Sequence, residues 1–289
     1  MSACGSAKSG GSSAPLPPFG SGLPKVTVTP EVRALEHRMS ELVNRDRKQN
    51  HLPPLVYDER LANAARAHSA DMHQHRFFDH LSPTWGNLEQ RLTRAGYLFL
   101  TSRENLAEAP DIDESEQGLL RSPHHYENLM ATDITSIGIG IVKGGPNDPR
   151  NLVVTQMFAT PGKTESEAEA GLAVEKSIQA QRTQAGLPAL PRLPKLDTLA
   201  KYHLSELKTD LSESNLRPVA KSVAESLVKA PIPKVSSVSV GGQVVVDSSQ
   251  FQAQGALVQG NAKGFGMAVS HGTDAKGARR LKVLFLVGM

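Results

Sequence analysis

Ile137-Gly138-Ile139-Gly140-Ile141-Val142 alternates glycine with branched residues, a period of two that belongs to a β-strand. Gly144 to Arg150 reads as a turn, and Leu152-Val153-Val154-Thr155-Gln156-Met157-Phe158 as a second strand. The two are expected to pair as an antiparallel hairpin whose glycines leave room for another element to approach closely.

Upstream of the hairpin the pattern is mostly helical. Thr29-Pro30-Glu31 offers a cap and a proline at the first helical position, and Leu35, Met39, Leu42 and Val43 then share one face. That helix fades near Asn50 into an extended Leu52-Pro53-Pro54-Leu55 connection. Asp58 is expected to cap a second helix with Leu61, Ala65, His68 and Met72 on one stripe. His68 reads as a hydrogen-bonded core residue, and His73 and His75 as solvated. Phe77-Phe78-Asp79-His80-Leu81-Ser82-Pro83 ends the segment, with the phenylalanines expected in the core and Pro83 stopping any further helix. A third helix from Asn87 to Ala95, a short strand from Tyr97 to Leu100, and the stretch Glu104-Asn105-Leu106-Ala107 follow.

After a break at Thr160 to Thr164 the plan recurs. Leu187-Pro188-Ala189-Leu190 repeats Leu52-Pro53-Pro54-Leu55 at an offset of 135, which also carries Leu61, Ala65, His68 and Met72 onto Leu196, Ala200, His203 and Leu207. Gly264-Phe265-Gly266-Met267 echoes Gly138-Ile139-Gly140-Ile141 at an offset of 126, and Leu281 to Leu286 supplies a final strand. Two diverged copies of one α+β unit are expected, at 30–161 and 166–289, behind a tether of residues 1–29.

The chain has 289 residues, 39% of them hydrophobic and 21% charged, a soluble globular composition. A net charge of +3 with scattered basic residues excludes a nucleic-acid reading. One cysteine, Cys4, excludes a disulfide framework and thiolate metal sites. Met1-Ser2-Ala3-Cys4-Gly5-Ser6 before a Gly/Ser tether resembles a bacterial lipoprotein cleavage site whose basic and apolar leader is expected upstream of Met1; the alternative is a plain tail with an incidental cysteine. Cys4 is therefore the expected lipidation residue, and any membrane contact is expected only through such an anchor.

Four stretches in order resemble the CAP superfamily of cysteine-rich secretory proteins, venom antigens and plant pathogenesis-related proteins, in its disulfide-free bacterial form. These are Leu42 to Arg47 with Leu52-Pro53-Pro54-Leu55; His80-Leu81-Ser82-Pro83; Glu104-Asn105-Leu106-Ala107; and Ser122-Pro123-His124-His125-Tyr126-Glu127-Asn128-Leu129. The resemblance spans Val32 to Thr160 and implies a three-layer α-β-α sandwich. It also implies a surface cleft lined by two histidines and one or two glutamates, where some members hold a divalent metal. His80 matches the first histidine, Glu104 the first glutamate and His125 the second histidine. The second glutamate is not matched: Leu119 stands at the aromatic that precedes it, leaving Glu116 and Glu127 as neighbouring candidates. In the second half, His80 carries over to Asn215 and His125 to Phe251, so that half is expected to be a degenerate copy without the cleft.

Two imidazoles and a carboxylate from His80, His125 and Glu104 suit a zinc-like ion with one open position. Three functions follow from the resemblance. The first is extracytoplasmic, non-catalytic binding of a metal, a lipid or an envelope component. The second is a protein-interaction module of the cell envelope. The third is a metal-dependent hydrolase or peptidase; neither Ser82 nor Ser122 sits in a nucleophile-elbow pattern.

Overall fold

A computed structural model describes residues 22–207 and 210–289; the expected lipidation residue Cys4 lies outside them. The chain divides into two compact units. One runs up to Tyr97 and from Thr101 to Pro161; the other comprises Leu98–Leu100 and Gly162–Met289.

The first unit contains α1 (Pro30–Gln49), β1 (Val56–Tyr57), α2 (Glu59–His75), α3 (Leu88–Arg94), β2 (Phe99–Ala109), α4 (Ile112–Arg121), α5 (Pro123–Leu129), β3 (Ser136–Lys143) and β4 (Leu152–Pro161). Thr29 caps α1 through the Val32 amide, with Pro30 in the first turn, and Asp58 caps α2 through the amides of Arg60 and Leu61. The sheet order is β1-β3-β4-β2, with β1 parallel to β3 and β3 antiparallel to β4.

Alternation along β3 builds the three layers. Ile137, Ile139 and Ile141 face a core of Met39, Leu42 and Val43 from α1, Leu119 from α4 and Leu129 from α5. Gly138 and Gly140 face the other way, where α2 lies so close that a Cβ on either would run into the backbone of Leu61–Ala62 or Ala65–Arg66. The glycines in the opening stretch therefore seat a helix. Of the expected short strand at Tyr97–Leu100 only Phe99 and Leu100 are extended, as the start of β2, an eleven-residue strand running through Glu104 to Ala109.

The second unit contains α6 (Glu167–Gln184), α7 (Pro194–Glu206), α8 (Glu213–Lys229), β5 (Val238–Val245), two short 3-10 turns, β6 (Gly264–Thr273) and β7 (Arg279–Gly288). Its sheet order is β5-β7-β6, and Arg192 makes a parallel bridge to Phe265 of β6. One face of the sheet packs on α6 and the other on α7 and α8.

Comparable individual bonds occur within each unit. The Arg47 guanidinium is fully buried and donates to the carbonyls of Pro53, Leu129 and Ala131; Arg182 donates to those of Pro188, Leu257 and Gln259. The Asn44 side chain clamps both backbone groups of Leu55, and Gln179 clamps those of Leu190. Asp58 donates its amide to Ile137, and Leu193 to Phe265. A Cβ on Gly266 would meet Leu196 and Asp197, as one on Gly138 would meet Leu61 and Ala62. These contacts put the strand offset at 128, not 126, because Gly138 matches Gly266 and not Gly264. His125 then carries over to Ala253 in place of the buried Phe251.

Candidate functional site

β2 lies at the edge of its sheet, and consecutive residues on it point to opposite faces. Glu104 lies on the face where Leu106 meets Met72 of α2, and Asn105 on the face where Gln156 meets Met39 of α1. One strand therefore anchors side chains from two layers.

On the first face, Arg91 of α3 has no exposed surface and grips both Glu104 oxygens, Nη1 to Oε2 at 2.6 Å and Nη2 to Oε1 at 3.0 Å. The same guanidinium donates to the carbonyls of His80 at 2.7 Å and Gly86 at 3.3 Å. His80 Nδ1 meets Glu104 Oε1 at 2.9 Å, and the imidazole is 53% exposed against 3% for the Glu104 side chain. Burial pushes the Glu104 carboxyl up, but the Arg91 charge and the bonds from His80 and Arg91 outweigh it and hold the group at about 2. An ionised carboxylate only accepts, so His80 Nδ1 is the donor, and whenever the ring is neutral its free lone pair is on Nε2.

The His80 loop is pinned separately. Ser82 Oγ donates to buried Asp71 at 2.5 Å and accepts from the amides of Thr84 and Trp85. His75, read from sequence as solvated, bonds Asp71 through Nδ1 at 2.8 Å, and His73 bonds the Gly144 carbonyl. His68 is buried as expected, with Nε2 on the Asp79 carbonyl at 3.1 Å; burial is the main cause of its fall to about 4. Phe77 and Phe78 are partly buried against Met72, Leu106 and Val153.

His125 approaches from the other face on α5. Burial pushes its ring down, with the charges of His80 and His124 as smaller causes. Its carbonyl accepts from Asn105 Nδ2 at 3.2 Å. Asn128, one turn on, donates to the Glu104 carbonyl at 3.1 Å and to Asn105 Oδ1 at 2.9 Å. Asn105 Nδ2 also donates to Gln156 Oε1 at 3.1 Å, and Gln156 Nε2 to Glu116 Oε2 at 2.8 Å.

Glu116 is thus fully buried beneath α4, two side chains away from His125, with its Oε1 unpartnered. Burial lifts its carboxyl to about 7 against the Gln156 bond. Glu127 is exposed and faces His124. The structure joins His80 directly to Glu104 and ties the His125 backbone to the neighbouring Asn105, while Glu116 lies beyond Gln156 and Glu127 faces His124. Among the described residues no three His, Cys, Asp or Glu side chains are grouped to hold a metal. No helix among those residues is long and apolar enough to cross a membrane.

Sequence reading missed Arg91, Asn128 and Gln156, and gave Asn105 no role. The available signal was chemical: a carboxylate and an amide side by side in a strand need buried partners.

Residues 40–158 match the model of the CAP family, described as the cysteine-rich secretory protein family. The chain is 36% identical over 115 residues to the uncharacterized protein YkwD of Bacillus subtilis (strain 168), covering 39% of this chain and 45% of that protein. It is 32% identical over 107 residues to the uncharacterized membrane protein YlbC of the same strain, covering 37% and 31%. The chain therefore spans less than half the length of these curated relatives. Among solved structures it resembles an extracellular protein containing a SCP domain from Bacillus anthracis str. Ames, with 30% identity, 47% and 45% coverage and a TM-score of 0.41. It also resembles an outer surface protein of Borrelia burgdorferi, with 23% identity, 47% and 97% coverage and a TM-score of 0.41.

Proposed function

With residues 40–158 forming a CAP domain of the cysteine-rich secretory protein family, we propose that this is an extracytoplasmic protein that binds a ligand without turning it over, at the His80–His125 face of its first unit. The observation that carries the reading is the Arg91–Glu104–His80 arrangement. A buried ion pair holds one imidazole nitrogen and leaves the other turned outward as an oriented acceptor. The secretory description of the family and the lipoprotein-like Met1 to Ser6 stretch both support a place outside the cytoplasm, with Cys4 as the anchor residue. The exposed imidazole favours a polar ligand group, such as a hydroxyl or amide N–H of an envelope component, that can donate to Nε2.

A divalent ion held by His80, His125 and Glu104 together does not fit this arrangement, because Arg91 and His80 already occupy both Glu104 oxygens. An ion bound here would rest on the two imidazoles, with Glu104 as the carboxylate that orients His80 from behind. Two protein ligands are fewer than zinc sites ordinarily use.

The metal-dependent hydrolase reading is weaker because Glu104 is engaged by Arg91 and His80, and Ser82 offers no serine alternative, being buried and bonded to Asp71. The interaction-module reading applies best to the second unit, which we take to be a degenerate copy. It keeps the Arg182 and Gln179 bonds but has Leu204, Leu284 and Phe285 where the first unit has Ser69, Thr155 and Gln156.

Calorimetric titration with zinc, phosphatidylglycerol vesicles and soluble peptidoglycan fragments tests the proposal, using the wild type and the His80→Ala/His125→Ala double variant. Binding of one of them by the wild type, without turnover and lost in the double variant, is expected. Equal binding by both proteins contradicts the site. Product formation that stops in the double variant replaces binding with catalysis.

A further inference from the structure

We propose that Gln156, Asn105 and Asn128 are positioning residues for this site, and that buried Glu116 sets the direction in which their amides point. The inference rests on the binding reading for what the site does, but the alignment it describes is measurable without a ligand.

Counting donors and acceptors fixes each amide in turn. Glu116 Oε2 accepts from Gln156 Nε2 at 2.8 Å, and the second hydrogen of that amide points to Met39 Sδ at 3.3 Å. Gln156 must then turn its oxygen to Asn105, which forces Asn105 to present Nδ2 both to Gln156 and to the His125 carbonyl. Asn105 Oδ1 is left to accept from Asn128, whose other hydrogen goes to the Glu104 carbonyl. Each orientation follows from the one before, so a carboxyl on one side of the sheet sets how β2, which carries Glu104, is tied to α5, which carries His125. Asn105, Gln156 and Glu116 are each at most 1% exposed, where an amide turned the wrong way has no water to satisfy it.

The second unit supplies an independent control. Gln156 pairs with Ile139 and Thr155 with Gly140; the matching positions hold Phe285 opposite Met267 and Leu284 opposite Ala268. Arg47, Asn44 and Gly138 have working counterparts there in Arg182, Gln179 and Gly266. The same skeleton is therefore assembled without the amide chain, which assigns the chain to the site and not to the fold.

The test follows the imidazole Cε1–H resonances of His80 and His125, assigned by their loss in His80→Ala and His125→Ala, together with the rate at which diethyl pyrocarbonate acylates each ring. Gln156→Leu and Asn105→Asp are expected to shift the His125 resonance and change its acylation rate. Thr155→Val removes a buried hydroxyl bond outside the chain, so it is expected to lower the melting temperature and move neither histidine. Should Gln156→Leu fail to fold, Asn105→Asp decides, because it keeps the shape and puts an oxygen where the amide nitrogen serves both Gln156 and the His125 carbonyl. Unchanged His125 signals in the folded variants overturn the proposal, as does a Thr155→Val shift equal to that of Gln156→Leu. A His125 shift in a protein that binds none of the probes used above supports positioning and counts against the binding reading alone.

Discussion

Arg91 holds the site together from a position with no exposed surface, touching Glu104 twice and the carbonyls of His80 and Gly86 once each. Replacing it with methionine leaves the Glu104 carboxylate buried without its cation. Arg91→Met is expected to cost about 3–5 kcal/mol in urea unfolding, well above any exposed ion pair of this chain. Two further buried residues govern the response to pH. Glu116 ordinarily titrates at 4.5 and is lifted to about 7, so the native state keeps a proton that the unfolded chain gives up, and its contribution falls as pH rises from 4.5 to 7. His68 is lowered from 6.5 to about 4, so its contribution is complete above 6.5 and is lost as pH falls toward 4. Between 4.5 and 6.5 the two oppose one another. Glu116→Gln removes one of them, and unfolding free energy is expected to fall by roughly 3 kcal/mol more than in the wild type on acidification across that window. His80, Glu104 and His125 were singled out in the sequence as candidates because they sit in short motifs. Arg91 and Gln156 were not, since an arginine in a seven-residue helix and a glutamine in an apolar strand give no sign of what they will be buried against.

At the level of elements, the hairpin, its glycine face and the helix caps at Thr29 and Asp58 were all readable from periodicity and cap chemistry. β2 is longer than its pattern suggests because Arg103, Glu104 and Asn105 break the apolar alternation a strand ordinarily shows. They are compatible with a strand only because Arg91, Asn128 and Gln156 receive them and Asp133 pairs with Arg103. Glycine gives a sharp test of the seating of α2. Gly138→Ala is expected to cost about 3 kcal/mol or more, because its Cβ meets helix backbone that cannot yield like a side chain. Gly96→Ala has open space around it and a left-handed φ of 64°, so about 1 kcal/mol is expected. Thermal melts of both variants compare crowding with backbone strain directly.

Across the whole molecule, two units use the same buried guanidinium to tie a helix end to three carbonyls. Arg47→Met and Arg182→Met each orphan those carbonyls and are expected to cost about 3 kcal/mol or more apiece, read as loss of denaturant resistance. The sequence suggested a recurrence at the Leu-Pro-x-Leu connections and the helical stripes. The strand offset differs by two residues from the expected one because Gly-x-Gly matches itself in either register, and only the contact with α2 or α7 distinguishes them. The most direct measurement on the site is the protonation of the two His80 ring nitrogens, by long-range proton–nitrogen correlation at a pH where the ring is neutral. With Glu104 ionised and accepting, the proton is expected on Nδ1 with Nε2 bare. A proton found on Nε2 with Nδ1 bare would mean that Glu104 does not orient His80, and would contradict the site described for this protein.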